Sequence, residues 1–412
     1  MRENIDISKM EISNKIKVVI THPSQLSERW MKYYCLEDLS KEFDVEFWDC
    51  SDVAYPSFKV AHPLVNKYLH VIDSLETFRS SLSKLPKDTV LVSEVHRNAK
   101  TYSFHEIQSS YFPQITYVCF YGNDIECVNL EENWKNVSRN TFNWRDIVYR
   151  IPYVHDGIRW FLHHTEPDYN EKKMARKCAE LYKDYYEIAS TKNANYRINH
   201  PDLEQYLQIK DKAKLQEGRY IVFIDDFFPY HPEILASMGN VDVDRIANVY
   251  HQRMNAFFEN IEQRIGCKVV IAAHPYANYK SNNPFNGRDI FYGKTAELIK
   301  DCDAVCMHGS NAYAYVALYD KPIALILSEV QRNSEVFRLT NLCGKTFKLP
   351  VYSIDKSSEY GNIMFEKMDS VLRKKYIDYY LGDMIHLASN KEYLLKYINE
   401  IHTKIMDNIK RK

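Results

Sequence analysis

Glycine is scarce in this 412-residue chain, at 11 positions, and the glycine-rich fingerprints of several enzyme classes are missing with it. No G-x-G-x-x-G, no phosphate loop ending in G-K-[ST] and no G-x-S-x-G stands where a strand would feed it, which weighs against dehydrogenase, kinase and hydrolase chemistry. The nine cysteines are scattered singly without a C-x-x-C pair; their odd number argues against a disulfide framework and for a reducing compartment. Zinc-ligand spacing is absent too, and His163-His164 has no spaced companions. Lys plus Arg (54) against Asp plus Glu (55) leaves a formal charge of -1, so a broad nucleic-acid footprint is excluded. The longest aliphatic runs, such as IALIL, are too short to span a bilayer, and the polar opening MRENIDISKMEISNK is unlike a signal peptide. A soluble, cytoplasmic protein is expected. There is no internal repeat or low-complexity segment, and the abundance of tyrosine (32) points to no particular chemistry.

What is present is an alternation of strands and helices, with 45% hydrophobic residues to build cores. IKVVITH (16–22) reads as a buried strand, SERWMKYYCLEDLSKEF as a helix, and VEFWDCS as a second strand, a βαβ opening. TVLVSEVH (89–96) and QITYVCFYGND (114–124) are further strands. From Glu171, KKMARKCAELYKDYYEIAS carries a helical pattern, and the polar stretch after it has little strand signal. The pattern restarts with RYIVFIDD (219–226), a helix through VDRIANVYHQRMNAFFENIEQRI, and the strands KVVIAA, RDIFYG, DAVCMH and PIALIL. We therefore expect an α/β protein with two Rossmann-like domains facing across a cleft: a first domain over 1–200, a linker over 201–218, and a second domain over 219–385. Leu394, Ile398, Ile401, Ile405 and Ile409 share one helical face, so 386–412 is expected to pack as a helix on the body. Its basic end, IKRK, also suits peripheral contact with anionic lipid at the inner face of a membrane.

The chemistry concentrates at strand ends. KVVIAA runs into His274-Pro275, and DAVCMH runs into Gly309-Ser310-Asn311 and a helix closed by Lys321-Pro322. Ligands of open parallel sheets lie beyond the carboxyl ends of the strands, so both pairs should face one crevice. Gly309 would let backbone approach a ligand, Ser310 would cap the helix, and the helix N-terminus would attract an anion. His274, on the neighbouring strand, would supply a hydrogen bond or a positive charge to a departing phosphate, with no metal required.

The succession of His274-Pro275, the segment Gly293-Lys294-Thr295-Ala296-Glu297-Leu298-Ile299, Cys302-Asp303-Ala304-Val305, Ser310 and Lys321-Pro322-Ile323 resembles bacterial GT-B glycosyltransferases of capsule and lipopolysaccharide assembly. Within that group it is most similar to sialyltransferases using CMP-linked acid sugars, which carry a His-Pro motif and a Ser-Ser or Ser-Thr motif. Here the second motif is Ser310-Asn311, so only its first member matches. The resemblance implies a nucleotide-sugar donor, a glycan or lipid-linked glycan acceptor, His274 and Ser310 on the nucleotide phosphate, and Thr295 and Glu297 near the base or ribose. It also implies a first-domain carboxylate as acceptor base, for which His155-Asp156-Gly157 is a partial match. A UDP-sugar epimerase, an alditol-phosphate transferase or a non-catalytic nucleotide-binding protein of polysaccharide assembly would use the same fold.

Other acids have two readings each. Asp225-Asp226, closing a strand beside FFPYHPE with His231 and Glu233, can act as a base or orient an acceptor, or can simply cap a turn. Glu94, His96 and Asp124 end first-domain strands and are either acceptor contacts or surface turns. Asp242-Val243-Asp244 and Asp301-Cys302-Asp303 sit at helix boundaries, where they offset a dipole rather than bind a metal.

Overall fold

A computed structural model describes residues 15–54, 63–120, 128, 130, 173–231, 234, 235, 238, 241–384 and 388–411. Thirteen named strands form two sheets among these residues, and every pairing between them is parallel. In the first, β1 (Lys17–His22), β2 (Asp44–Asp49), β3 (Leu69–Val71), β4 (Val90–Ser93), β5 (Gln114–Cys119), β6 (Asp184–Ala189) and β7 (Tyr196–Arg197) lie in the order β3-β2-β1-β4-β5-β6-β7. In the second, β8 (Tyr220–Ile224), β9 (Lys268–Ala273), β10 (Ile290–Tyr292), β11 (Ala304–Met307), β12 (Ile323–Leu327) and β13 (Val351–Ser353) lie in the order β10-β9-β8-β11-β12-β13. Counted from its own first strand, the second sheet has the 3-2-1-4-5-6 order of a dinucleotide-binding fold, and the first has the same order extended by a seventh strand. The protein thus has two Rossmann-like α/β domains, the GT-B architecture anticipated above.

Both faces of both sheets are covered, which explains why the strands read as unbroken apolar runs. On β8, Val222 and Ile224 join one core with Val305, Met307 and Leu325, while Ile221 and Phe223 join the opposite one with Cys306 and Ile326. In the first sheet Val18 and Ile20 face one core and Val19 the other.

Some expectations change. KDYYEIAS is not the end of a long helix: the helix stops near residue 180, and DYYEIA is strand β6. Its apolar and polar residues fit either period over so short a span, and pairing with β5 over six residues decides for the strand. The short strands β3, β7 and β13 lacked a detectable pattern. Pro201–Ile209 forms a helix whose Leu203 and Ile209 bury in the second domain's core.

The last helix, Asn390–Lys410, begins with a capping box at Ser389 and Glu392 and buries Leu394, Ile398, Ile401 and Ile405 in the first domain's core with Val18, Val90 and Leu39. The chain therefore crosses back after completing the second sheet. A second approach between domains involves Tyr33, which is within electrostatic reach of Asp202 and Tyr315; Tyr315 itself hydrogen-bonds Gln205 of the helix Pro201–Ile209 at 2.8 Å. The carboxyl edges of the sheets approach each other here. No helix among the described residues is long and apolar enough to cross a membrane.

Candidate functional site

In each sheet the strand order reverses next to its first strand, so the crevices for ligands open between β1 and β4 and between β8 and β11. Asp225 and Asp226 follow β8, His308-Gly309-Ser310 follows β11, and His274 follows β9. Three strands thus deliver these residues to one edge. His274 and Ser310 are not on neighbouring strands, however: β8 lies between, which at the usual spacing separates them by two strand widths, roughly 10 Å.

Asp225 is the organiser of the edge. It is 2% exposed, and its carboxylate accepts hydrogen bonds from the Tyr279 hydroxyl (2.9 Å) and the main-chain N–H of Phe227 (3.0 Å) and His274 (3.4 Å). One side chain therefore clamps the β8 exit to the His-Pro turn. Burial nonetheless raises its pKa to about 6, because three donors do not replace bulk water. Its commitment to internal partners fits an orienting role rather than that of a base reaching for substrate. Asp226 differs: the residue is partly exposed, yet Oδ2 is sealed and without a partner. Desolvation, reinforced by the neighbouring Asp225, pushes its carboxyl up to about 8, so it is largely protonated at neutral pH.

His274 is half-buried, and its Nδ1 accepts from the main-chain N–H of Tyr276 at 3.2 Å. The neutral ring then carries its hydrogen on Nε2. Desolvation and nearby His231 hold its pKa down at about 4. Of the two roles expected for it, hydrogen-bond donor and cation, the free protein favours the donor. His231 packs edge-on against His274 (ring centroids 4.9 Å), and Tyr276, 46% exposed, lies 5.3 Å and 5.4 Å from the two rings. Pro275 is exposed beside them, and Glu233 lies outside the described residues.

The segment after β11 is built otherwise than expected. His308 is a core residue: Nδ1 donates to the Ile326 carbonyl (2.7 Å), Nε2 accepts from the Tyr250 hydroxyl (2.8 Å), and burial lowers its pKa to about 4. Gly309 makes room for protein, not for a ligand. A Cβ there would stand 2.4 Å from the main chain of Leu339 and Thr340, in the helix Glu335–Phe347, and its N–H donates to the Thr340 hydroxyl at 2.9 Å. Ser310 does not cap the helix, which runs from Tyr313 to Tyr319 with Ala312 at the cap position; its hydroxyl meets the Ala312 N–H at 3.4 Å in the preceding turn. Seven residues make a weak dipole, so this helix start is a poor anion site. Asn311 is exposed at the same turn.

Thr295 opens the helix Thr295–Asp301, and Glu297 pairs with Lys294 at 3.1 Å while its Oε2 is buried without a partner, within reach of Tyr315 and Tyr319. Asp242 caps its helix by accepting from Arg245 N–H, and Asp303 pairs with Arg219 at 2.7 Å.

In the first domain Glu94 is neither surface turn nor open contact. It is 5% exposed, accepts from the Tyr34 hydroxyl (2.7 Å), and lies 3.0 Å from His22 Nε2 at an angle poor for a hydrogen bond. His22, its ring tilted at 54° against Trp30 with centroids 4.1 Å apart, ends β1 and is followed by Pro23, so ITHP repeats the strand-then-His-Pro signature of IAAHP. That repetition was available in the sequence. Tyr279 had no such signal, since nothing local marks it as the partner of Asp225, 54 positions away. His96 is exposed. Asp124, Asp156 with its flanking His155 and Gly157, and His163-His164 lie outside the described residues.

No protein-family model and no curated protein sequence matches the chain. Among solved structures it is similar to the wall teichoic acid polymerase TagF, with 10% identity and a TM-score of 0.45 over 96% of this chain and 90% of that one. It is also similar to the glycosyltransferase SnogD from Streptomyces nogalater (10%, 0.37, 93% and 99%) and to UDP-GlcNAc 2-epimerase of Methanocaldococcus jannaschii (9%, 0.37, 88% and 98%). At such identities and scores the fold rests on the strand order of this chain rather than on the likeness.

Proposed function

We propose that the protein is a GT-B glycosyltransferase that moves a sugar from a nucleotide donor, held at the carboxyl edge of the second sheet, to a glycan or lipid-linked glycan acceptor held by the first domain. The observation that carries this reading is the Asp225 clamp, which fixes the His274 turn beside a sheet crevice and leaves a neutral imidazole with its Nε2–H free of main-chain duty. Neutrality suits the task. A preorganised N–H donor stabilises the charge growing on a leaving phosphate without the cost of holding a cation in a dry site. Asp226, kept protonated next to Asp225 at the β8 exit, would not repel an arriving phosphate. The phosphate in turn favours the charged imidazole, so the His274 pKa is expected to rise when nucleotide binds.

The acceptor base is assigned to a first-domain carboxylate, Asp156 by resemblance. Ser310, Asn311 and Thr295 are assigned to the donor side, with Glu297 near the base or ribose, and CMP is the first nucleotide to test. Closure of the two domains would exclude water and suppress donor hydrolysis.

Calorimetric titration of CMP, UDP and CDP into wild type and His274→Ala tests the proposal. The variant should keep its melting temperature and bind the preferred nucleotide about tenfold more weakly, the loss of roughly one charge-assisted hydrogen bond. Unchanged affinity for all three would remove the assignment. Incubation with a UDP-sugar alone separates transfer from epimerisation, because only an epimerase turns over without an acceptor.

A further inference from the structure

Arg97 stands in the loop after β4, and its side chain reaches away from the β1/β4 crevice over β5 and β6. Its guanidinium lies over two tyrosine rings, 4.7 Å from the centroid of Tyr117 and 4.9 Å from that of Tyr185, side chains of adjacent strands on one face of the sheet. Among the described residues it forms no ion pair and no hydrogen bond with any carboxylate. Its charge is felt by Tyr117, Tyr182, Tyr185, Cys178, His96 and His105. Glu94 acts on Tyr117 and Glu187 on Tyr185, but Glu94 accepts from the Tyr34 hydroxyl and lies beside His22, and Glu187 lies beyond ion-pair distance of Arg97. A second donor close by is also unused: the Tyr185 hydroxyl is buried without a partner.

A half-buried cation that rests on ring faces keeps its donor edge for something else. Cation–π contact offsets only part of the desolvation of a guanidinium, and its planar fork matches the two oxygens of a carboxylate or phosphate. Donors without acceptors, held on a rigid aromatic platform, select an oxyanion.

We infer that Arg97, on its platform of Tyr117 and Tyr185, binds an anionic group of the acceptor, a phosphate or a carboxylate. The anion site rests on Arg97 and its tyrosines alone; its assignment to the acceptor rests on the transferase reading above.

Ligand-observed saturation-transfer NMR on the full chain, with methyl phosphate and acetate as separate probes at constant ionic strength, tests the site. The preferred nucleotide is present at saturation, so that the second domain's phosphate site is filled. One probe should bind wild type, bind Arg97→Gln at least tenfold more weakly, and bind Arg97→Lys severalfold more weakly, since lysine keeps the charge and loses the fork. Whichever probe binds identifies the oxyanion. Equal binding to wild type and both variants, or no binding of either probe to wild type, overturns the inference. If Arg97→Gln fails to fold by thermal melting, the Arg97→Lys comparison decides alone. Glu187→Gln should leave probe binding equal or tighter; weaker binding would make Glu187 a part of the site and overturn the present assignment. Nucleotide affinity in Arg97→Gln should stay within twofold of wild type, so a failed nucleotide titration sinks the transferase reading while this site stands or falls on the probes.

Discussion

Asp226 is the residue whose surroundings most oppose its ordinary state. Its sealed Oδ2 and the adjacent Asp225 both disfavour the charged carboxylate, and both acids hold protons more tightly in the fold than in the unfolded chain. The sign of the pH effect follows. This pair favours the folded state below about pH 4, and that contribution is lost as pH rises through the folded values of about 6 and about 8. Wild-type stability in urea should therefore decline over this range, by at most about 1.4 kcal/mol per pH unit for one proton. Asp226→Asn removes the titration and should be the more stable protein at pH 8, by roughly 1–2 kcal/mol given the partial exposure of the group. Parallel pH profiles for the two proteins would refute the assignment. His274 follows the same logic with the opposite charge: burial keeps it neutral, which turned a residue expected to offer charge or hydrogen bond into a donor.

At the scale of elements, the turn after β11 shows how one residue pattern supports two readings. A strand, Gly-Ser and an apolar helix suggest an anion-binding helix start, and the same glycine is required wherever two backbones cross closely. The second demand prevails here, because the helix Glu335–Phe347 lies against Gly309. Gly309→Ala should cost about 2 kcal/mol or more, since main chain rather than a flexible side chain must retreat. Gly361→Ala, at a site with nothing within 4 Å, should stay within about 0.5 kcal/mol and serves as the control. Urea melts of the pair measure both. A small cost at Gly309 would mean that the two segments do not touch as described. DYYEIA carries the complementary lesson: over six residues the periods of helix and strand are hard to separate, and the partner strand β5 chose between them.

The whole molecule is tied together by its ends. Ile401, fully buried near the end of the chain, packs with residues from β1 and β4 near its start. Ile401→Ala should destabilise the first domain by about 2–5 kcal/mol, the usual range for a large-to-small change in a core. Limited proteolysis read by mass spectrometry would place the new cleavages among residues 17–120; cleavage confined to the last helix would show that the helix only rests on the surface. With the chain returning to the first domain, the two sheets cannot drift apart freely, and the carboxyl edges stay opposed near Tyr33, Asp202 and Tyr315.

Much of this architecture was legible in local pattern. Buried parallel strands show as unbroken apolar runs whatever lies around them, so β1, β2, β4, β5, β8, β9, β11 and β12 were read directly, and so was the two-domain α/β class. The strand-end positions of His274, Asp225 and Ser310 followed from those runs. Which side chains touch did not. The bond from Tyr279 to Asp225, the burial of Glu94 under Tyr34, the use of Gly309 by a helix thirty residues downstream and the bare guanidinium of Arg97 all depend on elements distant in sequence. Local order along a chain sets what each segment prefers to be; proton affinity and access to ligand are set by neighbours that only the folded chain brings within a few ångströms.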